Sequence, residues 1–215
     1  IANLFYNNSG DVITSGNHIW DKKETVEFII NEKRLLRPAN LINGSPGNGY
    51  GLYFSKNNKF KVAVINLMGN IFMKKTDDVF LAATSLKKKL QLKKDVDFLV
   101  VDFHGEITSE KMAIGHFFDG NATAVVGTHT HVPTADTRIL KNGTAYQTDI
   151  GMCGDYDSVI GMNKENSLMK FLKHKDAINH FPAKGKGTLS GIIVEADETT
   201  GLAIRIERFI EGGVF

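Results

Sequence analysis

Apolar runs and polar breaks alternate along this chain in an order of strands and helices. Val96 to Phe103 (VDFLVVDF) reads as a strand that is apolar on both faces, and Ala122 to Gly127 (ATAVVG) as a second buried strand. Asp11 to Ser15 (DVITS) reads as a shorter one. Between the strands lie helical patterns. Trp20 to Asn31 places Val26, Ile29 and Ile30 on one face, with Asp21 and Glu24 suited to its first turn. Val79 to Leu90 and Lys164 to Lys173 also read as helices. A fourth helical stretch runs to about Phe118, with Thr108 or Ser109 as its cap.

Three hairpins follow from turn chemistry. Tyr50 to Ser55 and Lys61 to Leu67 flank Lys56-Asn57-Asn58-Lys59. Arg138 to Leu140 and Thr144 to Thr148 flank an Asn-Gly turn at Asn142-Gly143. Leu189 to Glu195 and Leu202 to Phe209 flank Asp197 to Gly201. Leu35 to Asn40 is extended around Arg37-Pro38, and the Gly, Asn, Ser and Pro of Ile42 to Gly49 mark a surface loop. The order predicts an α/β fold with mixed β-sheets flanked by helices, in a single domain over 1–215.

Composition narrows the function classes. The 215 residues are 42% apolar and 23% charged, the profile of a globular protein. A net charge of +2 is too small for an electrostatic nucleic-acid binder, so no stable nucleic-acid complex is expected. The lysines at 87–89, 93 and 94 read as a solvated helix face. The single cysteine, Cys153, forbids an intrachain disulfide and fits a reducing compartment, hence a cytoplasmic location. No apolar run approaches the roughly 18 residues of a membrane span.

The chemistry gathers in three polar stretches, each following a strand-like run. They are Gly16-Asn17-His18, Asp102-Phe103-His104 and Gly127-Thr128-His129-Thr130-His131. They hold four of the seven histidines. Each taken alone has an ordinary reading: a turn, a strand-end histidine, two loop histidines. Together they lie where ligands gather in open α/β sheets, beyond the carboxyl ends of strands. Neutral imidazole and amide donors in that place suit a divalent transition metal. On an extended segment, His129 and His131 would point the same way. His116, His174 and His180 read as non-ligands. Trp20 and Phe28 read as packing residues and not as platforms for a base.

These stretches resemble the calcineurin-like metallophosphoesterases, and within them the YmdB-type phosphodiesterases. The resemblance is carried by GNHIWDKKE (16–24), RPAN (37–40), AVINLMG (63–69), DFHGEITSEK (102–111), AVVGTHTHVPTADTRIL (124–140), TDIGM (148–152) and GTLSG (187–191). It implies a metallophosphoesterase-type α/β sandwich and a binuclear centre of iron or manganese. By resemblance, Asn17, His104 and His129 would bind one ion and His131 the other, while His18 would act on the substrate as an acid or phosphate stabiliser. It also implies a small phosphodiester as substrate, with the 2′,3′-cyclic nucleotides favoured over the 3′,5′ type, and a possible homo-oligomer. Two ions can bind a phosphoryl group and offset the charge of an in-line displacement.

The family's remaining ligands come from a G-D-x-x-G strand end and a G-E-N stretch, and neither is in this sequence. About 40–45 N-terminal residues of the family domain are therefore expected to be absent from this chain. The missing acids leave an alternative: a non-catalytic regulator that uses a metal-stabilised fold to bind a nucleotide or protein partner. Asp102 is a candidate for orienting a ligand, Glu106 a loop acid near His104, and Asp149 and Gly151 candidate cleft residues.

Overall fold

The computed structural model describes residues 1–213. Its centre is a six-stranded sheet in the order β3-β4-β5-β6-β8-β7, formed by β3 (Tyr50–Phe54), β4 (Lys61–Met68), β5 (Phe98–His104), β6 (Ala124–Thr128), β8 (Ala145–Gln147) and β7 (Arg138–Ile139). The four inner strands are parallel, and β3 and β7 pair antiparallel at the two edges. The register decides where the chemistry falls. Met68 of β4 pairs with His104 of β5, and His104 with Thr128 of β6. Three parallel strands thus end side by side, and their exits face one region.

Helices α3 (Val79–Lys89) and α4 (Thr108–Phe118) cover one face of this sheet. Val79, Ala83, Leu86, Ile114 and Phe118 pack there on Ile65, Leu67, Leu99, Val101, Phe103 and Val125, all buried. On the other face, a two-stranded hairpin of β9 (Thr188–Ala196) and β10 (Ala203–Gly212) lies against the far strands, where Ala203, Val194 and Ile206 meet Ala124 and Ala145. A cavity of 610 Å³, walled by Val62, Val100, Val126, Ile192 and Phe209, separates the hairpin from β4–β6. Two further short strands, β1 (Ile13–Thr14) and β2 (Leu35–Leu36), pair in parallel, and α1 (Ala2–Asn7), α2 (Glu24–Asn31) and α5 (Lys164–Phe171) complete the described elements.

The α/β reading with mixed sheets and all three hairpins matches the structure. Three local expectations do not. The helix expected from Trp20 starts at Glu24, because 16–21 is taken up by tight turns in which Gly16 O accepts from Ile19 N and His18 O from Asp21 N. Of its apolar face only Ile29 is buried; Val26 and Ile30 are exposed. Neither Thr108 nor Ser109 caps α4: its N-cap is Ile107, with no side-chain cap bond. Asp78 and Asn163 do cap, accepting from Leu81 N and Asn166 N at the starts of α3 and α5.

Candidate active site

The strand exits of β5 and β6 and the turn after β1 bring three of the predicted residues together. His104 Nε2 lies 2.9 Å from Asn17 Oδ1 and 3.1 Å from His129 Nδ1. The rings of His104 and His129 meet edge to face, with centroids 4.8 Å apart. Gly16 makes this approach possible: a Cβ there would sit 2.2 Å from His104 Nε2. Gly127 does the same beneath β6, where a Cβ would fall 1.7 Å from the Thr148 carbonyl oxygen.

Hydrogen bonding fixes which nitrogen of each ring carries a proton. Thr128 Oγ1 donates to Asp102 Oδ1 at 2.9 Å, so it accepts from His104 Nδ1–H at 3.1 Å. His104 Nε2 is left with a lone pair. Burial, then the neighbouring His129 and Lys111, push the His104 pKa down to about 3, so the ring is neutral. His129 Nε2 is 3.1 Å from Glu106 Oε2 and donates to it, which leaves a lone pair on Nδ1. Burial lowers the His129 pKa as well, against the opposing pull of Glu106. Burial raises the Asp102 carboxyl to about 6, opposed by hydrogen bonds from Thr14 and Thr128.

The outcome is three acceptor atoms, Asn17 Oδ1, His104 Nε2 and His129 Nδ1, facing one another with no proton between them. Mutual lone-pair repulsion makes that arrangement unfavourable unless a cation sits among them. Adjacent ligands of a six-coordinate ion at about 2.1 Å stand about 3 Å apart, close to the two separations seen here. The donor set therefore fits one transition-metal ion. Among the described residues, no group of three or more His, Cys, Asp or Glu converges in a metal-binding arrangement, so the amide of Asn17 is needed to complete this one.

The other two predicted residues make their hydrogen bonds outside the triangle. His131 Nδ1 donates to Ile160 O at 2.7 Å. Both His129 (φ +107°) and His131 (φ +68°) have positive φ, so the His-x-His segment is not extended, and the expectation of two imidazoles on one side of a strand does not hold. His18 is three-quarters exposed, with Nδ1 donating to Asp21 Oδ2 at 2.7 Å. The His131 position supplies one donor, and among the described residues no cluster of three or more His, Cys, Asp or Glu forms a second donor set around it.

A buried ion pair that sequence reasoning overlooked holds the His129 loop. Lys111 Nζ, on α4, donates to Thr128 O at 2.5 Å and to Asp149 Oδ2 at 2.8 Å, and both side chains are 1% exposed. Asp149 Oδ2 also accepts from Thr130 N at 3.0 Å, and Oδ1 from Gly151 N at 2.9 Å. The peptide groups on either side of His129 are thus clamped by one pair of charges. Such a clamp is what a non-glycine residue needs to stay at φ +107°. A lysine and an aspartate that lie 38 positions apart give no local sequence signal. Only the placement of Lys111 in a helix next to β6, on its buried side, could have suggested it.

Two hollows flank the turn at Gly16. The larger, of 690 Å³, lies on the His18 side and is walled by Ile13, Ile19, Phe28 and Leu35. The smaller, of 180 Å³, lies on the Asn17 side and is walled by Trp20, Leu41, Ile42 and Met68, with Lys74 and Lys75 at its rim.

A family model for YmdB-like protein matches residues 1–209. A 2′,3′-cyclic-nucleotide 2′-phosphodiesterase of Bacillus subtilis (strain 168) is 48% identical over 200 residues, covering 93% of this chain and 74% of that protein. The crystal structure of a novel phosphatase of Mycoplasma pneumoniae superposes with a TM-score of 0.86 at 38% identity, over 98% of this chain and 75% of that one. A hypothetical protein from Thermus thermophilus superposes with a TM-score of 0.88 at 35% identity, over 98% and 80%.

Proposed function

Because the chain belongs to the YmdB-like protein family and is a hydrolase of the phosphodiesterase class, we propose that it hydrolyses small cyclic nucleotides of the 2′,3′ type at the strand exits of β5 and β6. The observation that carries this reading is the triangle of unprotonated acceptors, Asn17 Oδ1, His104 Nε2 and His129 Nδ1. We propose that these three atoms hold a transition-metal ion. Imidazole with an amide oxygen suits iron or manganese. Such an ion, when bound, polarises the phosphoryl oxygen and supplies an activated water.

The chain's own residues have the following parts. Asp102 and Thr128 hold His104 in the tautomer that presents Nε2. Glu106 does the same for His129 Nδ1. Lys74, whose Nζ donates to Asn17 O at 2.7 Å, places a cation at the mouth of the site and draws in an anionic diester. His18 acts as the general acid. Asp21 accepts from its Nδ1, so the proton given to the departing ribose oxygen comes from Nε2. His131 lies beside the set and is the residue available to a second ion. The 1–215 segment works as one metallophosphoesterase domain, and none of its described helices is long and apolar enough to cross a membrane.

The test is metal content and turnover of bis-p-nitrophenyl phosphate with added Mn²⁺. His104→Ala and His129→Ala are expected to lose bound metal and activity together. His18→Ala is expected to keep its metal and lose about 10²- to 10⁴-fold in kcat. Loss of metal from the His18 variant would make His18 a ligand and overturn its assignment as the acid.

A further inference from the structure

The turn that carries Asn17 also presents the chain's single tryptophan. Residues 16–21 form consecutive helical-type turns, closed by Ile19 N to Gly16 O at 3.2 Å and Asp21 N to His18 O at 3.0 Å. In such turns, residues three apart share a side. His18 accordingly meets Asp21, and Asn17 shares its side with Trp20. Asn17 thus belongs to two places at once: its amide oxygen faces His104, and the same residue walls the 180 Å³ cleft with Trp20.

The chemistry of that cleft is specific. Trp20 is half-buried, Met68 is 1% exposed, and Leu41 and Ile42 supply the opposite apolar wall. Lys74 stands at the rim, tied to the Asn17 carbonyl. At 180 Å³ the cleft is below the roughly 300 Å³ of pockets that take drug-sized ligands, and suits one flat ring system. The larger hollow across the turn is lined by Gly16 and His18 but not by Asn17, so of the two hollows only the cleft takes a member of the acceptor triangle into its wall. We infer that the Trp20 cleft is the base subsite: the purine or pyrimidine of the substrate stacks on Trp20 while its cyclic phosphate reaches the Asn17–His104–His129 triangle. This rests on the phosphodiesterase reading above and adds where selectivity for nucleotides arises. A π-face is common to every base, so the subsite distinguishes nucleotides from other diesters more than one base from another.

Two measurements test it. The first is quenching of tryptophan emission, which reports on Trp20 alone, by adenosine, a ligand with no phosphate. Saturable quenching that ribose does not reproduce is expected, with or without added Mn²⁺; no quenching by adenosine would overturn the subsite. The second compares 2′,3′-cyclic AMP with glycerol 1,2-cyclic phosphate, which has the same five-membered ring and no base. Trp20→Leu is expected to lower kcat/KM for the nucleotide about tenfold or more while changing the glycerol ester less than about twofold, and Trp20→Phe to restore most of the loss. Equal losses on both esters would make Trp20 a packing residue and overturn the inference. A wild-type protein that is quenched by adenosine but hydrolyses neither ester would sink the phosphodiesterase reading and leave the subsite standing. One that hydrolyses both esters without quenching would do the reverse.

Discussion

His104 is poised by its neighbours more than by its own type. A neutral imidazole has two tautomers, and the Thr128 hydroxyl decides between them because its one proton is already committed to Asp102. Replacing Thr128 with valine removes that commitment while keeping the shape. Metal retention is expected to fall about 10- to 100-fold, and Thr128→Ser to restore it, as measured by competition with a chelator. The sequence singled out five residues where strands give way to loops, and the structure brings three of them, Asn17, His104 and His129, within hydrogen-bond distance of one another. It did not show that Thr128 and Glu106 would set the proton positions. Those contacts depend on side-chain placement across neighbouring loops, and Glu106 in particular reads locally as an ordinary loop acid. Trp20 was legible as a large apolar residue, and its place beside Asn17 emerged only when 16–21 proved to be tight turns and not the start of a helix.

At the scale of elements, α4 acts on the site through one buried amine. Lys111 emerges on the covered face of the sheet and reaches the peptide before His129 and the carboxylate of Asp149 beyond it. Removing one member of such a pair leaves an unpaired charge in the interior, which costs about 3–5 kcal/mol. Lys111→Met is therefore expected to lower the urea midpoint sharply. Adding Asp149→Asn removes the second charge while its amide still accepts one backbone N–H, and should recover part of that loss. If Lys111 also holds the backbone of His129, metal retention will stay low in the double variant even as stability returns. The strands and hairpins were legible because their apolar runs and turn residues agree. The cap of α4 was not, since Thr108 and Ser109 look like caps and lie within the helix, and nothing local in the sequence excludes that register.

Across the whole molecule, the parallel run β4-β5-β6 explains why a site forms at all. In-register pairing of Met68, His104 and Thr128 ends three buried strands at one level, and the turn after β1 closes over them. Residues far apart in sequence thereby share a few ångströms. The proposed ion would tie the β1 turn to β5 and β6 and so would stabilise the native state by mass action, by about 2.7 kcal/mol at a free concentration about 100 times its dissociation constant. Thermal unfolding should shift upward on adding Mn²⁺ to chelator-treated protein. His104→Ala should show no shift. An equal shift in both would place the ion elsewhere.

Product analysis of 2′,3′-cyclic AMP, incubated with the purified, Mn²⁺-loaded protein and with its His104→Ala variant, reads the proposed hydrolysis at its own bond. The wild type is predicted to open the cyclic phosphate and release the nucleoside monophosphate, and the variant to release none. Absence of product from a metal-loaded wild type, or the same yield from the variant, would contradict the account.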